Sequence, residues 1–298
     1  MNINSRAIRK CRARLHQFSK QYLEEKLTHL TKFKAALCGA LLVASLPASA
    51  IFQNGGFETG DFTGWTTGFG INQGLQGAQP YHSGSISLGS GGSFRGAVVS
   101  GGPDLVNAPI TLPYAQTRTA RVNNADTGGF ANFISQQDVI TNADRDPSDN
   151  LLHIRFNYAV VLEDPNHNPA GQPFFFLRVR NVTKGTTLYE DFSFAGQTGT
   201  QFVPVPGNTG YQYLNWKPAD VVVPNADLGD TIEVYLLASD CQPTGHSGYA
   251  YLDGFGSRVV PPGGGGSVAP IPTLSEMGFM LLGLLLAGAG ATGLRRRS

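Results

Sequence analysis

The chain has 298 residues, 22 basic against 21 acidic side chains, and a formal charge of +1 at pH 7. That near-neutrality hides an uneven distribution: residues 51–262 hold ten basic and eighteen acidic side chains, a net charge of −8 with histidine neutral, while both ends are basic. An acidic middle without a basic stripe argues against nucleic-acid binding and tolerates calcium. Cys241 is the only cysteine in that middle, so no internal disulfide can form there. About 210 residues suffice to bury a core without one.

Between Arg6 and Lys34, nine basic side chains stand against Glu24 and Glu25. An apolar run from Ala35 to Leu46 follows, then Pro47 and Ala48-Ser49-Ala50. A basic flank, a short apolar core and an A-x-A site make a secretory signal, so residues 1–50 are predicted to be a signal helix cleaved after Ala50. The apolar run is shorter than the roughly 20 residues of a membrane span. Leu37 before Cys38 is too large for a lipoprotein cleavage site.

Residues 51–260 read as nearly all β. Leu152, Ile154, Phe156, Tyr158 and Val160 alternate with His153, Arg155, Asn157 and Ala159. Phe175, Leu177 and Val179 alternate with Phe176, Arg178 and Arg180, and Ile232, Val234, Leu236 and Ala238 with Glu233, Tyr235 and Leu237. Period two with one polar face is the mark of antiparallel strands covering a core on one side. Further strands are predicted near 85–88, 94–100, 117–122, 187–194, 211–223 and 248–259, separated by Gly, Pro and Asn clusters. The fold class is all-β, a two-sheet β-sandwich of jelly-roll type, with a barrel as the alternative.

Several side chains in this domain suggest chemistry. Asp144-Arg-Asp146-Pro-Ser-Asp149 lacks the glycine turn and distal glutamate of an EF-hand and reads as a solvated acidic loop. Asp240, Cys241 and His246 suggest an activated thiol, but sequence alone places no base beside it. His167 and His246 are isolated and show no zinc spacing. The neighbours Glu163-Asp164 and Glu190-Asp191 point to opposite faces of a strand, which rules out a glycosidase pair. Trp65, Tyr81, Tyr211 and Tyr213 are candidate ligand-stacking residues; the competing reading, strongest for the nearby Trp216, is that these aromatics are core.

The opening Asn54-Gly-Gly-Phe-Glu58-Thr-Gly-Asp61-Phe-Thr-Gly64-Trp65, with Tyr81-His82-Ser83-Gly84, resembles the start of carbohydrate-binding and galactose-binding-like jelly rolls. The stretch from Tyr158 to His167, and Asp240-Cys241 through Gly245-His246-Ser-Gly-Tyr249 to Asp253-Gly254-Phe255, resembles a module of large bacterial surface proteins. In such jelly rolls the first and last strands lie close together. The resemblance implies that Glu58 and Asp253 help hold a structural calcium (Ca2+). The alternative is that Glu58 caps a turn and Asp253 accepts backbone N–H bonds.

Pro261-Pro262 and the glycines after them make a flexible linker, residues 261–270. Residues 271–298 form a tail: Ile271-Pro272-Thr273-Leu274, an uncharged apolar stretch from Met277 to Leu294, then Arg295, Arg296 and Arg297. The stretch is just long enough for a transmembrane helix, and flanking arginines are retained in the cytoplasm. The tail resembles the IPTL-CTERM sorting signal of Gram-negative bacteria, carried by Ile271, Pro272, Thr273, Leu274, Gly278 and the arginine cluster, with Met277 where relatives have tryptophan. The resemblance implies an exosortase-type processing enzyme as partner, transient anchoring in the inner membrane, then a place on the cell envelope surface or outside the cell. The expected function is a non-catalytic module with an adhesive or structural role and a glycan or matrix partner. The alternative is a carbohydrate-binding module, and the third reading is a hydrolase or other enzyme.

Overall fold

In the computed structural model, residues 51–257 and Pro262 are described. The signal segment, the rest of the linker and the tail, with Ile271–Leu274, Gly278, the 277–294 span and Arg295–Arg297, lie outside the described residues. Among the described residues no helix is long and apolar enough to cross a membrane.

Twelve strands and a few 3-10 turns make up the described chain. The first sheet contains β1 (Thr66–Leu75), β2 (Ile86–Gly89), β5 (Phe130–Val139), β7 (Phe174–Asn181), β8 (Thr186–Phe194) and β11 (Thr231–Ser239), in the order β2-β1-β5-β11-β7-β8. The second contains β3 (Ala97–Val99), β4 (Thr119–Val122), β6 (Leu152–Glu163), β9 (Val203–Val205), β10 (Asn208–Val223) and β12 (Gly248–Gly256), in the order β3-β4-β12-β6-β10-β9. All pairings are antiparallel. The inward positions expected from the alternation, such as Ile154, Phe156, Leu177, Val179, Val234 and Leu236, meet in one core between the sheets.

The expectation of one polar face per strand fails for the middle of the second sheet. β6 is inaccessible along most of its length and β12 along nearly all of it. The inner residues join the main core, while Ala159, Val161, Tyr249 and Tyr251 join a second apolar cluster on the outer face. Ala108, Ile110, Val106 and Leu112 cover that face. The period-two alternation holds, but a loop supplies a second apolar layer on the outer face.

β1 and β5 were not expected from the sequence. β1 reads Thr-Thr-Gly-Phe-Gly-Ile-Asn-Gln-Gly-Leu, and glycine is depleted in strands. The reason for one glycine is visible: a Cβ at Gly68 would lie 2.0 Å from the ring of Phe133 on the neighbouring strand. In β10 a bulge between Leu214 and Lys217 shifts the register. Leu214 faces the core before it, and Ala219, Val221 and Val223 face it afterwards.

Candidate functional site

Register places Gly68, Phe133, Leu237, Phe176 and Phe192 side by side across β1, β5, β11, β7 and β8. They lie on the side of the first sheet opposite the main core. Phe133 stacks on Tyr235 with ring centres 5.1 Å apart, Tyr235 meets Phe176 at 6.0 Å, and Phe192 stacks on Phe174 at 5.6 Å. Phe133, Phe192, Tyr235 and Tyr81 are only partly buried, so the row keeps ring surface in water. Arg178 lies 5.6 Å over the Phe176 ring and pairs with Glu233, which Arg180 also contacts at 2.7 Å. The result is an aromatic strip, partly exposed at Phe133, Tyr235 and Phe192 and buried at Phe176, edged by a charged cluster. Its signal in the sequence was Phe176 on the same strand face as Arg178 and Arg180, an aromatic where a polar residue belongs.

The structure does not bring the four candidate aromatics together. Tyr81 belongs to this strip, with edge contacts to Phe192 at 6.3 Å and Phe194 at 5.8 Å. Trp65 is a correction: it is 7% exposed, packs on Phe57 and Phe255, and its indole N–H donates to the Asn54 carbonyl, so no face remains for a ligand. Tyr211 and Tyr213 flank the second apolar cluster on the other sheet. The Tyr211 hydroxyl is within 3.1 Å of Glu163 and 2.9 Å of Ser247. Trp216 is partly buried and donates its indole N–H to the Thr111 carbonyl at 2.7 Å. Thus the outer face of the second sheet, the other surface on which a ligand could lie, is roofed by its own loop. Asp104 fastens the roof: its carboxylate accepts from Tyr249 and Tyr251 hydroxyls and from the Val106 and Ala108 N–H groups.

Glu58 and Asp253 meet the same loop. Glu58 Oε1 accepts from Thr117 N at 3.1 Å and Arg118 N at 3.0 Å, and Oε2 from the Thr117 hydroxyl. Asp253, 1% exposed, accepts from Ala115 N at 3.0 Å and from Gly254 N at 2.6 Å. Burial pushes the Asp253 carboxyl up to about 7; its N–H bonds oppose the rise and the charge of Glu58 adds to it. The expected meeting of first and last segments is real, since Phe255 N donates to Gly55 O at 3.0 Å.

Several other acidic groups are tied down. The 144–149 segment is not merely solvated: Asp144 is 1% exposed, Asp146 pairs with Arg155, and Asp149 lies 3.0 Å from His153 Nε2. Hydrogen bonds from Ser148 and then Arg155 hold the Asp146 carboxyl well below the usual range. Asp191 and Lys217 bridge the two sheets at 2.7 Å, beside a cleft of about 250 Å³ lined by Phe175, Phe202, Leu214 and Gln201. Asp240 does not orient His246. Its carboxylate accepts from Asn123, Phe130 N and Gly248 N instead, so no Asp-His-Cys relay is assembled.

The IPTL-CTERM motif family matches residues 269–297. No curated protein matches the chain in sequence. Similar solved structures include CBM27-1 of Caldicellulosiruptor saccharolyticus in complex with mannohexaose, at 13% identity and TM-score 0.31, over 55% of this chain and 82% of that one. Another is the family 11 carbohydrate-binding module of Clostridium thermocellum, at 11% identity and TM-score 0.29, over 69% of this chain and 92% of that one. A third is the K3 cleaved adhesin domain of Lys-gingipain from Porphyromonas gingivalis, at 13% identity and TM-score 0.27, over 69% and 97%.

Proposed function

We propose that this chain is an exported surface protein, sorted through its IPTL tail, whose sandwich serves adhesion or envelope structure without catalysis. The aromatic strip of the first sheet is the contact surface. The observation behind it is a row of rings on four paired strands, with Phe133, Tyr235 and Phe192 partly exposed around the buried Phe176. Ring faces held on a sheet contribute contact area with little loss of side-chain freedom on binding. An apolar patch rimmed by charge is the usual mark of an interaction site. Because sugar rings present C–H faces to such rings, a carbohydrate-binding module is the second reading.

The tail supports the first half of the proposal. An IPTL-CTERM motif implies export and processing by an exosortase-type enzyme. The finer steps are part of the proposal: a jelly-roll winding, passage through the inner membrane with Arg295–Arg297 inside, and cleavage after Ala50. One contact favours that cleavage site. Ile51 is buried and its backbone nitrogen lies 2.7 Å from Asp144 Oδ1, so a new ammonium at Ile51 would meet a buried carboxylate. A structural calcium between Glu58 and Asp253 is also proposed. A carboxyl raised chiefly by burial, with a neighbouring carboxylate's charge adding to it, is the donor chemistry a hard cation relieves. If it binds, the ion supplies charge neutralisation between the opening turn and β12.

The test is adhesion of beads coated with the full chain to cells and to isolated envelope polymer, together with a glycan array. The double variant Phe192→Ala/Tyr235→Ala is expected to lose most adhesion while retaining a cooperative melt. Loss of a specific glycan signal in the same variant would favour the carbohydrate reading. Adhesion and glycan binding equal to wild type would remove the strip from function.

A further inference from the structure

We propose that His167, Cys241 and His246 form a site for a zinc-class divalent ion. His167 and His246 are isolated along the chain, but the sandwich closes two loops over each other. One loop follows β6 and carries His167; the other joins β11 to β12 and carries Cys241 and His246. The His167 and His246 rings stand edge to face, 5.1 Å apart. Cys241 is inaccessible, and its Sγ lies 3.5 Å from His246 Nδ1. One donor atom from each residue lies within 4.8 Å of the other two.

These distances suit a tetrahedral ion. Zinc–sulfur bonds of about 2.3 Å and zinc–nitrogen bonds of about 2.0–2.1 Å place neighbouring S and N ligands about 3.6 Å apart. Two imidazoles and a thiolate are also a donor set that oxygen-seeking calcium or magnesium does not select.

One feature of the site points to a missing partner. His167 Nε2 is shielded from solvent and makes no hydrogen bond, which is rare for a buried polar atom. The turn that carries the thiol is fixed by backbone bonds: Cys241 N–H donates to the His246 carbonyl at 2.9 Å and Thr244 N–H to the Cys241 carbonyl at 3.2 Å. Thr244 holds φ at +77°, where a β-branched residue is strained, and so keeps that turn closed. An entry route exists: His167 also lines a cleft of about 370 Å³ with Asn168, Gln242, Gln73 and Gln76. Binding replaces the thiol proton, which leaves to solvent, so one proton is released per ion. The fourth position is left to water or a group entering from the cleft. The ion would clamp the 167 loop to the β11–β12 turn, beside the strands that carry the aromatic strip.

The experiment uses the full chain, stripped of metal and titrated with zinc and, separately, cobalt. One equivalent of zinc is expected to bind and raise the melting temperature. Cobalt is expected to give a thiolate charge-transfer band that vanishes in Cys241→Ser. His167→Gln removes a ring whose Nε2 makes no hydrogen bond, so the variant should fold as wild type does. It should weaken zinc binding at least about tenfold, the loss that even an outer-sphere partner of a ligand produces. Zinc affinity unchanged in both variants would overturn the assignment, as would a wild-type melt indifferent to zinc. Copper rather than zinc in the chain as isolated would overturn the choice of ion.

Discussion

His153 is the residue whose chemistry reaches furthest into solution behaviour. Its ring is 6% exposed, with Nδ1 2.5 Å from Asp220 and Nε2 3.0 Å from Asp149. Burial alone would lower its pKa, but the two carboxylates more than offset burial and raise it above 6.5. A group whose folded pKa exceeds its unfolded value contributes stability that is complete below the unfolded pKa and lost as pH rises through the folded one. The melting temperature should therefore fall as pH climbs from about 6.5, and His153→Gln should flatten that slope. A wild-type slope that survives in His153→Gln would assign it to other groups. Asp253 and Glu58 give a second residue-scale prediction. Calcium a hundredfold above its dissociation constant should add about 2.7 kcal/mol of stability. Asp253→Ala and Glu58→Ala should each remove most of the response, and magnesium should substitute poorly. Equal destabilisation of both variants with and without calcium would leave only turn-capping.

At the scale of elements, the roof over the second sheet hangs on Asp104. Asp104→Ala strips partners from two buried tyrosine hydroxyls and two backbone N–H groups. Each unsatisfied buried group costs about 1–3 kcal/mol, so denaturant titration should show a loss above about 3 kcal/mol. Asp104→Asn should lose less, because it keeps an acceptor. Gly68 in β1 makes a steric counterpart: Gly68→Val has no room beside the Phe133 ring and should destabilise the sheet by about 1–3 kcal/mol. That same substitution displaces a ring of the aromatic strip, so it should lower adhesion as well as stability. A variant that loses neither would mean β1 and β5 part easily.

At the scale of the whole molecule, export and maturation set the expected species. Mass spectrometry of the surface protein should find a chain starting near Ile51 and stopping before Met277; intact arginine tails on every copy would leave a plain anchor instead. The sorting tail was legible without a structure, because it is a local pattern of charge and hydropathy that needs no fold to be recognised. The inward faces of β6, β7 and β11 were legible for a related reason: period two is written in adjacent residues. The approach of Glu58 to the 253–255 region came only with the family resemblance. Tertiary structure decided the rest. Trp65 became core because Phe57 and Phe255 close on it, and the second sheet's outer face disappeared because Asp104 holds a loop across it. The aromatic strip needs the register of four strands, and the His167–Cys241–His246 cluster needs two loops far apart in sequence. Such sites are sums of long-range contacts, and a single sequence records the residues but not which of them the backbone hydrogen bonds will bring together.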